Sequence, residues 1–377
     1  MDLNLSEEQR LIVDSAVEFL AAHSPNERIR AVTRTPGQWD EQTWQGLSEL
    51  GWCGIHLPES VGGLGLGWVA LCLLQEQLGR RLACVPYFDT VVLAATALCP
   101  LQTQAGVGDL LSRLAQGQLR LALALPDPDA PMTGRVQARS DGWHLQGQWA
   151  AVGSAPVADQ LLLPALDSEG VCRLWVVAST HPGLRIQPVP AVDATRLHGT
   201  VFADDVTLPA EACLAQGPSL QALLAHTRSL AAIGLAAEQV GVAQQALDLS
   251  LAYVLQRQQF EKPVASFQAI KHRCAQMLVA VEMARSAVYG AAGMADTLPD
   301  PMTLLRAAAQ ARHEATQAAL YCTREAIQLH GGVGFTWEYD PHLYLRRAQA
   351  SSQRLGALTW WREQVVQQWL DAPEPSP

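Results

Sequence analysis

Basic charge is scarce in this 377-residue chain: lysine and arginine together number 26 against 36 acids, for a formal charge of -10. No basic stripe interrupts that deficit, and a protein that grips a nucleic-acid backbone carries a cationic face, so nucleic acid is not an expected partner. The eight cysteines (Cys53, Cys72, Cys84, Cys99, Cys172, Cys213, Cys274, Cys322) never fall in Cys-x-x-Cys spacing. That argues against a zinc site or a disulfide framework and for reduced, mostly buried thiols. No apolar run is long enough to span a bilayer. The opening "MDLNLSEEQRLIV" has acids where an export signal has a basic region. A cytoplasmic protein without a membrane segment is expected. Walker and Gly-x-Ser-x-Gly sequences are missing, and no internal repeat stands out. The one biased tract is the tail "DAPEPSP", expected to be disordered.

What is present is apolar residue in quantity, 49% of the chain, enough for a large core and for two or three domains. Three textures succeed one another. From Ser6, a candidate N-cap followed by Glu7 and Glu8, the pattern is helical. Further helices are expected over "DEQTWQGLSEL", closed by Gly51, and over "WVALCLLQEQLG", closed by Gly79. Between them "HLPESVGGLGLG" reads as an interhelical connection rather than a ligand loop. Near residue 119 short apolar runs with turn signals take over, such as "LRLALAL", "DQLLLPAL" and "CRLWVVA". They predict a small β barrel or sandwich.

After Gly217 helical periodicity returns with four apolar stripes. One runs through Leu230, Ile233, Ala237, Val240, Leu247 and Leu251, and another through Phe267, Ile270, Cys274, Met277, Val281 and Ala284. The third takes Leu305, Ala308, Ala311, Ala315, Ala319, Cys322, Ala326 and Leu329, and the fourth Leu358, Trp361, Val365 and Trp369. Four stripes call for a four-helix bundle. A di-metal centre in such a bundle needs inward Glu-x-x-His pairs, which are missing, so no metal is expected. His226, His272, His313 and His330 then read as surface or loop residues. The fold class is α+β, with an N-terminal helical domain over 1–118, a β domain over 119–214, a four-helix bundle over 218–370 and the tail 371–377.

The order helices, β domain, bundle resembles the acyl-CoA dehydrogenase family, and local motifs agree with it over nearly the full length. "YVLQRQQFEKPVASFQ" is similar to a family run carried here by Tyr253, Arg257, Gln259, Phe260, Pro263, Phe267 and Gln268. "FADDVTLPA" resembles the exit from the β domain, "LPESVGGLGLG" the N-terminal loop, and "AIQLHGGVGF" the Gln-x-x-Gly-Gly-x-Gly segment. The resemblance implies FAD as cofactor, an acyl-CoA substrate and electron-transfer flavoprotein as acceptor. It also implies that Arg257, Phe260, Gln268, Gln328, Gly331 and Gly332 hold the adenosine diphosphate half of an FAD bound mainly by a neighbouring subunit. Arg257 would offer a permanent planar charge to the pyrophosphate, and the glycines would bring backbone amides close. Glu261 departs from the pattern, standing where the family has glycine.

The family's catalytic glutamate comes from one of two places, and neither is acidic here. The resemblance puts Leu355 at the later position, followed by the matching Gly356, and Thr227 at the earlier one, next to Arg228. Neither side chain is a general base near neutral pH. Ala124 and Leu125 stand in place of a Thr-Glu pair before Pro126, and Gly153 replaces a threonine that meets the flavin ring. The resemblance thus implies that the ADP clasp is kept while the ring side is lost. This implies a base-deficient subunit of a heteromeric dehydrogenase, resembling those of bacterial degradation of steroids and other bulky side chains. One alternative is a homo-oligomeric enzyme with a displaced carboxylate, for which Glu238 and Glu363 are the candidates, although both read as helix-surface acids. A second is a regulatory or scaffold member that binds no flavin.

Overall fold

Ser6 opens the first helix as expected. Its hydroxyl accepts from the Gln9 amide at 3.1 Å while Gln9 Oε1 accepts from the Ser6 amide at 3.0 Å, a reciprocal capping box that starts α1 (Glu7–His23). In this computed structural model, which describes residues 5–35, 37–297 and 299–370, α2 (Asn26–Arg34) and α3 (Glu41–Glu49) follow. Gly51, left-handed at φ 71, stops the chain just beyond α3. The glycine-rich stretch is a connection that contains one short 3-10 turn, Glu59–Val61, and a second, Trp52–Gly54, precedes it. α4 (Gly67–Arg80) does not end at Gly79, contrary to expectation: that glycine is buried inside the helix, and a Cβ on it would overlap the Glu238 backbone. Gly79 is thus a contact surface and not a terminator. A π-helical segment, Phe88–Ala94, runs into α5 (Ala95–Leu98), and α6 (Val107–Ala115) completes the N-terminal helices.

The middle of the chain makes eight strands: β1 (Leu121–Leu123), β2 (Arg135–Arg139), β3 (Gly142–Gly153), β4 (Gln160–Leu166), β5 (Cys172–Ala178), β6 (Leu184–Pro188), β7 (His198–Leu208) and β8 (Cys213–Gln216). They form one mixed sheet in the order β6-β7-β3-β2-β4-β5-β8, with β1 parallel to β4. Alternating residues such as Leu161, Leu163, Trp175, Val177, Val201 and Val206 fill its core. Each large apolar side chain so buried contributes roughly 1.5–3 kcal/mol. The register between β3 and β7 shifts twice, which bends the pair.

Helices resume with α7 (Pro218–Gln256), followed by a hairpin of β9 (Gln258–Gln259) and β10 (Lys262–Pro263) and then α8 (Gln268–Ala295). α9 (Pro301–His330) is capped by Asp300, whose carboxylate accepts from the Met302 and Thr303 amides at 3.0 Å, with Pro301 in the first turn. α10 (Pro341–Ser352) and α11 (Leu358–Leu370) end the described chain. The region therefore holds one long helix more than the four stripes implied. α10 shows no apolar stripe in the sequence because half of its buried residues, His342, Arg347, Ser351 and Ser352, are polar. The stripe on α8 is buried only from Met277 onward, while Phe267, Ile270 and Cys274 stay half-exposed. The side chain of Trp369 and the tail 371–377 lie outside the described residues.

Two compact units emerge: a helical one of 1–26, 68–82 and 232–377, and a sheet-bearing one of 27–67 and 83–231. Inside the helical unit α4 and α7 meet backbone to backbone, because Gly241 as well as Gly79 leaves no room for a Cβ at the crossing. Beside it Glu76 accepts from the Tyr289 hydroxyl at 2.6 Å and from Arg285 at 3.0 Å.

Candidate functional site

Two motifs far apart in sequence meet at one end of the helical unit. α7 stops where the Arg257 amide donates to Tyr253 O at 2.8 Å, and the chain then reverses through β9 and β10. Phe260 and Glu261 are the two turn residues, at φ 52 and 60. A two-residue hairpin turn with both φ positive is the kind that selects Asn-Gly, and side-chain-bearing residues hold it at a cost of roughly 1–3 kcal/mol each. Phe260 is 85% exposed, edge-on to Phe267 at 6.2 Å. Gln268 begins α8 and is exposed.

α9 brings the other motif. His330, expected at the surface, is instead 6% exposed and stacks on the Tyr253 ring at 4.3 Å, with its Nδ1 donating to Ala326 O at 2.7 Å. Burial pushes its pKa down, so the stacked ring is a neutral imidazole at neutral pH. Tyr339 meets both rings edge-on. This stack fastens the end of α7 to the end of α9, and so Arg257, Gln328, Gly331 and Gly332 share one exposed end. The Gly331 amide, however, already caps α9 by donating to Gln328 O and Ile327 O. Gly331 thus contributes φ 65 and an absent side chain rather than a free N–H. A Cβ on either Gly331 or Gly332 would meet nothing within 4 Å. An open, glycine-lined surface beside an exposed guanidinium fits a pyrophosphate.

The residues that the resemblance places at the flavin ring do not fit it. In the sheet-bearing unit the Ala124 amide is spent on Leu162 O at 3.0 Å, and the side chain is buried. Gly153 ends β3, and any Cβ built on it would overlap the carboxylate of Asp89. Asp89 is 4% exposed and accepts from Ser154 Oγ at 2.7 Å, with Ser154 itself left-handed at φ 56. The volume that a threonine would need at residue 153 is already filled from within the chain. Asp89 and Ser154 were missed in the sequence, where the bare glycine at 153 was the available sign that a neighbour fills its place.

Leu355 lies in the turn between α10 and α11 at φ 63, followed by Gly356 at φ 100. The fully buried Arg312 pins that turn, donating to Ser351 O at 2.7 Å and Arg354 O at 2.9 Å, and to Gln239 Oε1 on α7 at 2.7 Å. Thr227 on α7 is fully buried, and its hydroxyl has no hydrogen-bond partner among the described residues. Arg228 beside it donates to Pro126 O at 2.5 Å; burial lowers its pKa to about 10, against the pull of Asp127 and Asp129, and leaves it cationic at neutral pH. Glu238 corrects the surface reading: it is 3% exposed and ion-paired with the buried Arg347 at 3.1 Å. An acid on that face of α7 survives burial because α10 supplies the counter-charge. Glu363 is exposed. Among the described residues no helix is long and apolar enough to cross a membrane, and no group of three or more His, Cys, Asp or Glu could hold a metal ion.

Family models for the N-terminal and C-terminal domains of acyl-CoA dehydrogenase match residues 6–118 and 220–369. Acyl-CoA dehydrogenase IpdE2 of Mycolicibacterium smegmatis is 31% identical over 93% of this chain and 96% of its own. The chain belongs to the acyl-CoA dehydrogenase family. Among solved structures, the ChsE4-ChsE5 complex of Mycobacterium tuberculosis has a chain that superposes with a TM-score of 0.87 at 26% identity, over 99% of this chain and 100% of that one. A variant of the Tcur3481-Tcur3483 steroid ACAD gives 0.85 at 31% identity, over 97% and 99%. The family's order of helical, sheet and helical regions is the one seen here.

Proposed function

We propose that this acyl-CoA dehydrogenase family member is a subunit of a heteromeric enzyme, lacking a catalytic glutamate of its own and clasping the FAD of a competent partner chain. The carrying observation is an asymmetry between the two groups of residues that the resemblance assigns to flavin, those that would clasp a partner's ADP and those that would face this chain's own ring. Arg257, Gln268, Gln328 and Gly332 stand exposed at one end of the helical unit, with open space around the glycines. On the ring side Gly153 has no room for a side chain, and the Ala124 amide is already bonded. Leu355 and Thr227 at the base positions cannot abstract a proton. Arg257 would hold the pyrophosphate by charge-assisted hydrogen bonds, and Gln268 and Gln328 would add neutral ones. Phe260 would lay an exposed ring beside the adenosine half.

FAD, when bound, supplies hydride acceptance from the β-carbon of an acyl-CoA thioester, with α,β-dehydrogenation as the outcome. This chain's part is to bind and orient the cofactor, not to move the proton. In this reading 1–118, 119–214 and 218–370 act as three domains, electron-transfer flavoprotein is the acceptor, the enzyme is cytoplasmic, and the assembly is a heterotetramer. The two-protein names of the ChsE4-ChsE5 and Tcur3481-Tcur3483 structures support a heteromer, and the steroid named in the second supports a bulky acyl substrate. The displaced-base alternative loses ground, because Glu238 is locked to Arg347 and Glu363 faces solvent.

The test is Arg257→Ala in a complex reconstituted with a partner acyl-CoA dehydrogenase chain that carries the catalytic glutamate. Losing a charge-assisted contact of roughly 1.5–3 kcal/mol should weaken FAD retention about 10- to 150-fold. An unchanged FAD dissociation constant rejects the clasp.

A further inference from the structure

The geometry points to Asp89 as the residue that closes this chain's own flavin-ring subsite, its carboxylate occupying the space that a side chain at residue 153 would need. The inference rests on the clasp reading only for naming the excluded ligand, an isoalloxazine ring. The packing claim stands by itself.

Three features of the sheet-bearing unit are built around that carboxylate. Gly153 is the first. It lies at the end of β3, and its φ is not in the left-handed region, so the backbone would accept any residue there. Only space forbids one: the three atoms nearest to a Cβ at 153 are Asp89 Oδ1, Cγ and Oδ2. Ser154 is the second. Its hydroxyl donates to Asp89 Oδ2 at 2.7 Å, and its amide donates to Leu197 O at 2.8 Å. It does this from φ 56, a conformation that β-strand neighbours do not impose and that costs roughly 1–3 kcal/mol. The third is the π-helical segment Phe88–Ala94, in which Asp89 is the second residue. A π segment is rare and occurs mostly as a short bulge within α-helix, frequently at functional sites.

A carboxylate that is 4% exposed is expensive to bury and is kept only where it is hydrogen-bonded. Here the strained serine and the missing side chain at 153 both serve it. An aromatic ring seeking a hydroxyl donor at residue 153 would find instead the oxygen atoms of an acid whose hydrogen bond is already made. The exclusion is therefore steric and electrostatic at once. It converts the loss of a flavin contact from a mere absence into a filled site, and it explains how the pocket avoids a cavity, which would itself be destabilising.

The experiment is a double-mutant cycle on the full-length chain, read by thermal melting and by binding of FMN, a probe that carries the ring without adenosine. Gly153→Thr alone should lower Tm by roughly 3–10 °C, the range for an overpacked site in a domain of this size. In the Asp89→Ala background the same threonine should cost less than half as much, because the space is then free. Asp89→Ala should also bind FMN at least tenfold more tightly than the wild type. If Asp89→Ala fails to fold, Asp89→Ser replaces it, and Gly153→Ala supplies the smallest Cβ. An equal Tm loss in both backgrounds overturns the packing claim. FMN affinity unchanged by removing Asp89 overturns its role as the barrier. Failure of the clasp reading would show elsewhere, as FAD retention indifferent to Arg257, and would leave this cycle untouched.

Discussion

Cutting the Glu238–Arg347 pair separates a structural acid from a displaced catalytic base. The two side chains are 3% and 2% exposed and meet at 3.1 Å, with Gly79 of α4 against the same stretch of α7 backbone. Arg347→Met removes the counter-charge and strands a carboxylate in a helical core, and breaking a buried pair in this way costs about 3–5 kcal/mol. At about 2–4 °C per kcal/mol for a domain of 150–250 residues, Tm should fall by roughly 6–20 °C. Glu238→Leu with Arg347→Met removes both charges and leaves apolar volume, a change that is often neutral or better in energy. The double variant should therefore recover most of the loss. The assay is urea or thermal unfolding of the four proteins of the cycle, with acyl-CoA turnover of the reconstituted complex as a second readout. Losses that simply add would refute the pairing. A Glu238→Gln variant that keeps its Tm but abolishes turnover would refute the structural role and revive the displaced base.

Glu261→Gly should stabilise the chain by about 1 kcal/mol in unfolding experiments, since glycine relieves the positive φ of 60. Leu355→Glu should not give the isolated chain dehydrogenase activity in a dye-linked assay with added FAD and short, long and bulky thioesters, because on this account the chain holds no flavin ring of its own for the carboxylate to work with. Gly79→Ala should lower Tm, since a methyl there overlaps the Glu238 backbone. His144 bonds Asp141 Oδ1 at 2.8 Å and Asp205 Oδ1 at 3.0 Å through its two ring nitrogens, and the bond to Asp141 and then that to Asp205 raise its pKa against burial and the nearby Arg139. A raised folded pKa gives stability that is complete below the unfolded value of about 6.5 and is lost as pH rises through the folded one. The Tm gap between wild type and His144→Asn should accordingly shrink as pH rises above about 6.5.

Regular elements were readable where one physical cause dominated. Ser6 and Gly51 mark helix ends through local hydrogen bonds and backbone freedom, and local causes lie in local sequence. Gly79 misled because the same residue type serves close helix packing, which only the fold reveals. α10 was hidden by Arg347, a charged residue that is buried because its partner Glu238 waits on another helix. The candidate clasp was legible as two motifs, but not the stack of Tyr253 on His330 that joins them. Gly153 announced a missing side chain, whereas its replacement, Asp89, lies in a different segment and is visible only in three dimensions.

The central claim, that the ADP clasp is kept and the ring subsite is not, is most directly tested by flavin stoichiometry. The full chain is purified alone and then together with a partner acyl-CoA dehydrogenase chain that carries the catalytic glutamate, and FAD per chain is read from absorbance across a gel-filtration peak. The account predicts a nearly colourless single chain and a mixed complex with about one FAD for every two chains. One FAD per chain in an oligomer of this chain alone would contradict it.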